Sequence, residues 1–461
     1  MLAVNNINAP DGAFLREQKI DTSGIYLELI SKFIAGKCVP INVDFRELIS
    51  WVKLGDQQTH LLHPYPAKLI PHIAHFFVNA KVLKHDNPIV LDPFCGSGTV
   101  ALEASLSDIE THICDANPLA LLIAKVKTTK YNTDLLLDVL SEIVRKVKSY
   151  KKTISIGVVN SSKWYSESRK NKLELIVRAI EEVAFNDEKD FFKVCFSVLA
   201  RRLSNADPAI SVPVEIREKD SFSAQRNKQI AERKKWLETV SVIDEFKSIC
   251  TANVERVKAA NRTNLNRRCA KIVSDDVKIL SSYYNDNVRP SLIITSPPYG
   301  SAQKYIRSSS LSLNWLGFVG PTSLTELEDK SIGREHAPAY RKKTYSDFLP
   351  PEFENFLAKI KVKNKVRYEI TRQYLHEMKI ALCQICSCLR DKGHVVLVTG
   401  NNNVCGEVLR NDIFVRAIME SNGLELSLHL IDDIKSRGLM TKRNKTAAMI
   451  NRETVMVFHK R

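Results

Sequence analysis

Hydrophobic runs and turn signals alternate in a strand–helix order along two separate stretches of the chain. Residues 88–104 contain a buried apolar run, a glycine turn and the start of a helix, and residues 111–128 repeat a strand and a helix. Strand-like runs return at 270–276 and 291–300, and a long helical segment then leads into the apolar run VVLVTGN. Strands that alternate with crossover helices predict a parallel sheet. The predicted fold class is therefore α/β, with a doubly wound sheet.

Helical periodicity accounts for much of the remaining chain. Residues 1–62 and 131–269 show apolar spacings near three and four, which predict helices. Residues 301–365 are polar and basic with few clear elements, so we predict a long loop there. The final segments LELSLHLIDDI and ETVMVFHK are strand-like and flank the basic stretch KSRGLMTKRNK. They predict an antiparallel hairpin at one edge of the sheet.

These patterns divide the chain into four parts. An N-terminal helical segment, 1–88, leads to the glycine turn, and the first part of the core spans 89–130. A helical insertion, 131–269, separates it from the second part of the core, 270–461, which contains the basic loop 301–365.

The composition is that of an ordinary soluble globular protein. The chain has 461 residues, of which 44% are hydrophobic and 26% are charged. It contains no run of about 18 apolar residues, so we expect no membrane span. The N-terminus lacks a basic start followed by an apolar core, so we expect no secretory signal and a cytoplasmic location.

Charge and cysteine usage narrow the range of partners and cofactors. The net charge of +16 indicates a polyanionic partner, with a merely basic surface as the alternative. Ten cysteines are scattered, and their one cluster, CQICSC at 383–388, lies in a helical pattern. Zinc sites usually pair one CxxC with a second CxxC or with histidines. No such pair lies nearby, so we predict no metal site.

The glycine turn DPFCGSGT follows the first strand of the core. Glycine permits positive φ and lets a ligand approach the backbone closely. The turn lacks the GxGxxG spacing and the GK[ST] ending of phosphate-binding loops, so a cofactor without a pyrophosphate suits it better. The predicted cofactor-binding residues of the turn are Asp92, Pro93, Phe94, Gly96, Ser97, Gly98 and Thr99.

An acidic residue ends the second strand. Asp115 lies about 20 residues after the glycine turn, where a carboxylate typically accepts hydrogen bonds from ribose hydroxyls. The alternative is an aspartate that caps the helix starting at Pro118.

Together these segments resemble the amino-group DNA methyltransferases, which modify the N4 of cytosine or the N6 of adenine. DPFCGSGT is similar to their S-adenosylmethionine loop, and SPPY at 296–299 is similar to their catalytic [DNS]PP[YFW] motif. HPYPAK at 63–68, DANPLA and RETVMVFHK also look like segments of the family. The resemblance covers roughly 45–130 and 270–461, and it implies a Rossmann-like class I methyltransferase core.

The resemblance also implies roles for individual residues. The side chain of Ser296 and the carbonyl of Pro297 would accept hydrogen bonds from the amino group of the base, and Pro298 would help to hold them rigid. The ring of Tyr299 would stack on a base that has been flipped out of the duplex. Further cofactor contacts implied by the family are Tyr65, Lys68, Asn117 and Asp276, with Asp275 as the alternative to Asp276 and packing or helix capping as the alternative to a contact.

The identity of the first motif residue favours one base. Serine is typical of cytosine-N4 enzymes and aspartate of adenine-N6 enzymes, so we expect cytosine-N4 transfer, with adenine-N6 transfer as the alternative. An RNA guanine-N2 methyltransferase and a non-catalytic DNA-binding relative are less favoured. The resemblance implies double-stranded DNA as substrate and a cognate restriction endonuclease or other defence proteins as partners. The insertion 131–269 is the candidate DNA-recognition region, since it and the loop 301–365 both carry basic runs.

Overall fold

Eight strands form one sheet in a computed structural model that describes residues 21–50, 58–66, 69–300, 304–320, 324–334, 348–433 and 452–461. The strands of this sheet are β1 (Ile41–Val43), β2 (Ile89–Asp92), β3 (Glu110–Cys114), β4 (Lys271–Ser274), β5 (Leu292–Thr295), β6 (His394–Thr399), β9 (Leu424–Asp433) and β10 (Arg452–Lys460). A separate antiparallel pair consists of β7 (Asn402–Val404) and β8 (Glu407–Leu409).

The strand order is β1-β9-β10-β6-β5-β2-β3-β4. The pairs β2–β3, β3–β4, β2–β5 and β5–β6 are parallel, whereas β10 is antiparallel to both of its neighbours. The chain progresses outward in one direction from β2 to β4 and in the other from β5 to β6. The point between β2 and β5 is therefore the topological switch point, where ligands bind beyond the carboxyl ends of strands in sheets of this kind. The predicted doubly wound α/β class is confirmed.

Seventeen α-helices surround or extend this sheet in the described part of the chain. Those before the insertion are α1 (Ser23–Ala35), α2 (Phe45–Leu48), α3 (Pro71–Asn79), α4 (Thr99–Leu106) and α5 (Pro118–Thr128). The insertion contains α6 (Thr133–Ser149), α7 (Ser161–Trp164), α8 (Glu167–Val183), α9 (Asn186–Arg202), α10 (Ala224–Thr239) and α11 (Val242–Thr263). The remainder are α12 (Tyr305–Ser308), α13 (Ser310–Trp315), α14 (Leu324–Lys330), α15 (Pro351–Lys363), α16 (Lys365–Cys388) and α17 (Asn411–Ser421). None of the described helices is long and apolar enough to cross a membrane.

Apolar side chains cover both faces of the sheet. Ile293 of β5 packs in one core with residues of α15, α16 and α17, whereas its neighbours Leu292 and Ile294 pack in another with α1 and α3. Successive residues of a strand point to opposite faces, so a strand that is apolar throughout is buried on both sides. A third core joins the insertion helices to α5 and α13. The insertion therefore packs directly against the edge of the sheet domain.

The terminal hairpin is present but does not form the edge of the sheet. Strands β9 and β10 pair antiparallel, as predicted. The three residues of β1 then add to β9 in parallel and occupy the edge position. The prediction of a helical N-terminal segment missed β1, because a strand of three residues has too few positions to show a period of two.

The prediction of a loop over 301–365 was wrong for much of that segment. Helices α12 to α15 lie within it, although 335–347 are outside the described residues. In α15 the buried side chains Phe353, Leu357 and Ile360 recur at helical spacing, and a proline occupies the first helical position. Because lysines lie between these residues in the sequence, the segment was interpreted as polar and its apolar stripe was missed.

Candidate active site

The carboxyl ends of β2 and β5 are joined by a buried hydrogen bond. The hydroxyl of Thr295 donates to Oδ1 of Asp92 at 2.7 Å, and the backbone N–H of Phe94 donates to the same oxygen at 3.2 Å. Burial raises the pKa of Asp92 to about 7, and the two hydrogen bonds oppose part of that increase. This contact places the glycine turn and the Ser-Pro-Pro-Tyr turn side by side at the switch point.

The glycine turn has the backbone that its sequence predicts. Gly96 and Gly98 have φ values of +48° and +74°, in the left-handed region that favours glycine. A Cβ on Gly98 would lie 2.6 Å from the Cβ of Ala124, so α4 and α5 can pack closely only with glycine there. Pro93, Ser97 and Thr99 are buried, whereas Phe94 is partly exposed, and Thr99 is the first residue of α4.

Asp115 holds the glycine turn from the neighbouring strand. Its carboxylate accepts the N–H of Gly96 at 2.8 Å through Oδ2 and the N–H of Asn117 at 2.8 Å through Oδ1. Burial raises the pKa of Asp115 to about 6 despite these hydrogen bonds. The cap of α5 is a different residue, Asn117, whose side chain accepts from the N–H of Leu119. The alternative of a helix cap therefore fails for Asp115.

Tyr65 lies beside the glycine turn. Its ring is 3.8 Å from the position of a Cβ on Gly96, and its hydroxyl accepts a hydrogen bond from Nδ2 of Asn117 at 3.0 Å. The same nitrogen donates to the hydroxyl of Ser309 at 3.1 Å, which ties the segment after the catalytic turn to this side of the site. Lys68, the other predicted residue of this segment, lies outside the described residues.

Asp276 follows β4, at the same carboxyl ends of the parallel strands as the glycine turn. Its Oδ1 accepts the N–H of Lys278 at 2.9 Å and so caps a short 3₁₀ helix, Val277–Tyr283. The neighbouring Asp275 is more exposed and forms an ion pair of 3.1 Å with Lys330. Of the two aspartates, Asp276 is the one fixed in position by backbone contacts.

The Ser-Pro-Pro-Tyr turn begins directly after β5. Pro297 is buried, whereas Ser296, Pro298 and Tyr299 are partly exposed. The hydroxyl of Tyr299 donates to Oε1 of Glu453 at 3.3 Å, and the Ser296 side chain lies close enough to act on the pKa of Tyr299, which it lowers in part. Burial and the nearby carboxylate of Glu453 raise the pKa of Tyr299, so the phenol keeps its proton.

Side chains from other elements of the fold hold the Ser-Pro-Pro-Tyr turn in place through hydrogen bonds. The hydroxyl of Tyr374 on α16 donates to the carbonyl of Pro298 at 3.1 Å. Nδ2 of Asn402 donates to the carbonyl of Gly300 at 2.8 Å, and Nδ2 of Asn411 donates to Oδ1 of Asn402 at 2.8 Å. A Cβ on Gly300 would lie 2.8 Å from the Tyr374 ring, so glycine is required for this approach. The rigidity of the turn therefore depends on these contacts as well as on its two prolines.

Several of these residues were not selected from the sequence. Tyr374 and Glu453 are 76 and 154 positions from their partners in the turn, so no local spacing connects them. Lys127 is fully buried, and its ammonium lies 3.3 Å from the Ser97 hydroxyl. One signal was available for Asn402: the run TGNNN follows an apolar strand, and polar residues beyond the carboxyl ends of parallel strands often belong to a site.

The comparisons with known proteins agree on methyl transfer. Residues 62–187 match the family described as UPF0020: RMKL-like, methyltransferase domain. The chain is 22% identical to the Type II methyltransferase M.MvaI of Kocuria varians over 423 residues, which cover 86% of this chain and 89% of that protein. It is 33% identical over 100 residues to the Type II methyltransferase M.MjaII of Methanocaldococcus jannaschii, covering 21% of this chain and 18% of that protein.

One solved structure is similar only at low level. The rRNA methyltransferase aviRa from Streptomyces viridochromogenes aligns over 86% of this chain and 87% of its own, with 10% identity and a TM-score of 0.30. That score is too low to bear on function.

The methyltransferase domain implies S-adenosylmethionine as the methyl donor. The residues present fit this molecule, because Asp115 is a carboxylate with lone pairs beyond the two that its backbone contacts use. A ribose diol is the kind of donor that such a carboxylate binds. The carboxyl groups of Asp92 and Asp115 near the turn also suit a sulfonium cation better than they would suit a pyrophosphate.

Proposed function

We propose that this protein is a DNA methyltransferase that methylates the exocyclic N4 of cytosine at a specific site in double-stranded DNA. The observation that carries the proposal is the hydrogen bond of 2.7 Å between Thr295 and Asp92. It brings a glycine turn suited to S-adenosylmethionine next to a rigid turn whose serine is partly exposed. Direct transfer between two bound molecules requires that their sites adjoin in this way.

The residues of the catalytic turn would position the amino group of the base. The lone pair of an exocyclic amino nitrogen is delocalised into the ring, so its N–H groups must be held out of the plane for it to act as a nucleophile. Ser296 and the carbonyl of Pro297 are the acceptors we assign to those N–H groups. S-adenosylmethionine supplies an already activated methyl group when bound, so the protein contributes mainly positioning.

The hydrogen bonds around Ser296 support its role as an acceptor. Ser296 is a neighbour of Tyr299 that acts on its pKa, and the hydroxyl of Tyr299 donates to Glu453. Since the Tyr299 hydroxyl directs its proton at the carboxylate, its oxygen can only accept from a neighbouring hydroxyl, so Ser296 would act as the donor toward it. The lone pairs of Ser296 are then directed away from Tyr299 and remain free to accept from a base.

Tyr299 would also supply the stacking surface for the base. A base within a duplex cannot reach a site at the end of a sheet, so it must be flipped out of the stack. An aromatic ring replaces part of the lost stacking at about 1–3 kcal/mol per base. The ring of Tyr299 is fixed by its hydroxyl contact with Glu453 and remains partly exposed.

The serine at position 296 supports cytosine rather than adenine. This choice rests on the resemblance of SPPY to the motif of cytosine-N4 enzymes, since both bases offer an amino group beside a ring nitrogen. A role in a restriction–modification system, with a cognate endonuclease, is supported by the similarity to two proteins named Type II methyltransferases.

Nucleoside mass spectrometry tests the proposal directly. Double-stranded DNA of mixed sequence is incubated with the purified protein and isotopically labelled S-adenosylmethionine, then digested to nucleosides. We expect labelled N4-methylcytosine, formed on the order of 100-fold more slowly with the Ser296→Ala variant. Labelled N6-methyladenine would overturn the choice of base and leave the mechanism intact. Label found in RNA, with none in DNA, would overturn the substrate.

A further inference from the structure

Four arginines meet at the C-terminal end of α9, and we call them the α9 arginine cluster: Arg169, Arg201, Arg202 and Arg233. Three of them donate to neutral carbonyl oxygens. Arg169 donates to Leu203 at 2.6 Å and Arg201 to Ile210 at 2.7 Å, while Arg233 donates to the carbonyl of Arg202. A carbonyl satisfies a guanidinium donor but does not neutralise its charge. The cluster therefore keeps most of its positive charge.

The orientation of α9 places this cluster near the carboxyl ends of the parallel strands, where the candidate active site lies. We call this side of the sheet its catalytic edge. Helix α5 starts at that edge, directly after β3, and runs away from it. Lys125, near the far end of α5, forms ion pairs of 2.8 and 2.7 Å with Asp187 and Asp190 at the start of α9. Helix α9 thus runs antiparallel to α5, and its C-terminal end returns to the catalytic edge.

A second set of contacts agrees with this direction. Ser197, one turn before Arg201, is hydrogen-bonded to His63 at 2.9 Å and to Ser312 at 2.8 Å. His63 precedes Tyr65 of the cofactor side by two residues, and Ser312 lies in α13, shortly after the catalytic turn. The cluster therefore lies one helical turn from the segments that border the candidate active site.

Nearby carboxylates neutralise the cluster only in part. Glu245 forms an ion pair of 3.1 Å with Arg202, and the charge of Glu238 attracts that of Arg169. Asp207 is paired with Arg226. Burial lowers the pKa of Arg233, and repulsion from the other three arginines lowers it further. Two buried guanidinium nitrogens, Nη1 of Arg201 and Nε of Arg233, have no hydrogen-bond partner among the described residues. An unbalanced positive charge of this kind attracts polyanions.

We propose that the α9 arginine cluster binds the phosphate backbone of the DNA beside the flipped base, with Arg202 making the direct contact. The proposal rests on the proposed function. The side chain of Arg202 is 50% exposed, so it can reach a phosphate, whereas the other three arginines are only partly exposed and act through their charge. The cluster is also partly structural, because it caps the last carbonyls of α9, and the test must separate the two roles.

Arg268 is a matched control for Arg202. Its side chain is 55% exposed and forms an ion pair of 3.2 Å with Asp108, close to the 3.1 Å of Arg202 with Glu245. It lies just before β4, at the amino ends of the parallel strands, whereas the active site lies at their carboxyl ends. Replacing either arginine by alanine removes the same charge and a similar surface ion pair.

The experiment measures binding of a labelled, mixed-sequence DNA duplex of about two helical turns by fluorescence anisotropy over a range of KCl concentrations. For Arg202→Ala we expect weaker binding and a slope of log K against log[salt] that is smaller by about 0.9, the value for one lost phosphate contact. Arg202→Lys should retain the slope, and Arg268→Ala should retain both affinity and slope. Thermal unfolding of each variant reports any structural loss separately.

Two results would overturn the inference. If Arg202→Ala and Arg268→Ala give equal slopes while the unaltered protein still methylates DNA, the cluster is only a helix cap. If a single-stranded RNA of the same sequence binds better than the duplex, the partner is wrong. Absence of both methylation and binding with DNA would refute the proposed function itself, and the inference with it.

Discussion

The hydroxyl of Tyr299 lies 3.3 Å from Oε1 of Glu453, a carboxylate on the last strand of the sheet. Burial raises the pKa of Glu453, and the hydrogen bond from Tyr299 opposes that increase. Ser296 is a neighbour of Tyr299 and lowers the pKa of its phenol in part. A serine hydroxyl can either donate or accept, and a tyrosine that directs its own proton at Glu453 can only accept from it. Glu453 is therefore a positioning residue for the proposed acceptor.

Replacing Ser296 tests that acceptor. Ser296→Ala should reduce turnover on the order of 100-fold, the typical cost of one lost transition-state hydrogen bond in a preorganised site. Binding of S-adenosylmethionine should stay near normal, because the glycine turn and Asp115 belong to other strands. Single-turnover kinetics and calorimetric titration measure the two quantities. Unchanged turnover would remove Ser296 from the mechanism.

The two functions assigned to Tyr299 separate in a pair of variants. Tyr299→Phe keeps the ring and loses the contact with Glu453, so turnover should fall about fivefold, as for one hydrogen bond of about 1 kcal/mol. Tyr299→Ala also loses the stacking surface, worth about 1–3 kcal/mol, and should fall about tenfold further. Equal losses in both variants would mean that the hydroxyl, and not the ring, matters.

Asp115 should affect the cofactor rather than the chemical step. Asp115→Ala removes the acceptor of the Gly96 N–H as well as the acceptor proposed for ribose. Hydrogen bonds to a charged group contribute about 1.5–3 kcal/mol each, so affinity for S-adenosylmethionine should fall about 10- to 100-fold. Calorimetric titration gives the dissociation constant. Asp108→Ala is the control, because Asp108 lies before β3, at the amino ends of the parallel strands. An unaltered affinity would restrict Asp115 to a structural role.

Tyr374 should act on turnover without touching either substrate. In Tyr374→Phe the carbonyl of Pro298 loses its partner, and a buried unsatisfied group costs about 1–3 kcal/mol. Part of that cost should appear as lower stability and part as a turnover reduced about fivefold, with KM for S-adenosylmethionine unchanged. Tyr26→Phe is the control, since this tyrosine is also buried but lies on α1, away from the site. Equal effects on turnover in both variants would show a general loss of stability instead.

The order of the core elements could be predicted because continuous apolar runs that end in turn signals mark buried strands, and helical spacing marks a long helix. The strands β2, β5 and β6 and the helix α16 are of this kind. The strand β1 was missed because it has three residues and depends on β9 for its hydrogen bonds. Helix α15 was missed because its apolar stripe lies between lysines and acidic residues.

The site could be predicted only where its residues are close in sequence. The glycine turn and the Ser-Pro-Pro-Tyr turn are continuous segments, and both lie where the strand pattern predicts. Tyr374, Asn402 and Glu453 support the second turn from distant parts of the chain. Their positions follow from how α16, β7 and β10 pack, and no single segment contains that information.

Asp92 gives the fold a specific dependence on pH. Its pKa rises from an ordinary 3.8 to about 7 in the folded protein. Between these values the folded state holds a proton that the unfolded state has released, so the free energy of unfolding falls as pH rises through this window. Above about pH 7 the buried carboxylate costs roughly 1.4 kcal/mol per unit of that shift.

The variant Asp92→Asn should remove this dependence without removing the contacts. Thr295 and the N–H of Phe94 both donate to Oδ1, an oxygen that asparagine retains. The variant should therefore unfold at a higher temperature than the unaltered protein at about pH 8, with a difference that shrinks toward about pH 4. Calorimetry at both values measures this, with Asp108→Asn as the surface control. A difference that does not change with pH would show that Asp92 stays ionised in the fold and that the link between β2 and β5 is a charged one.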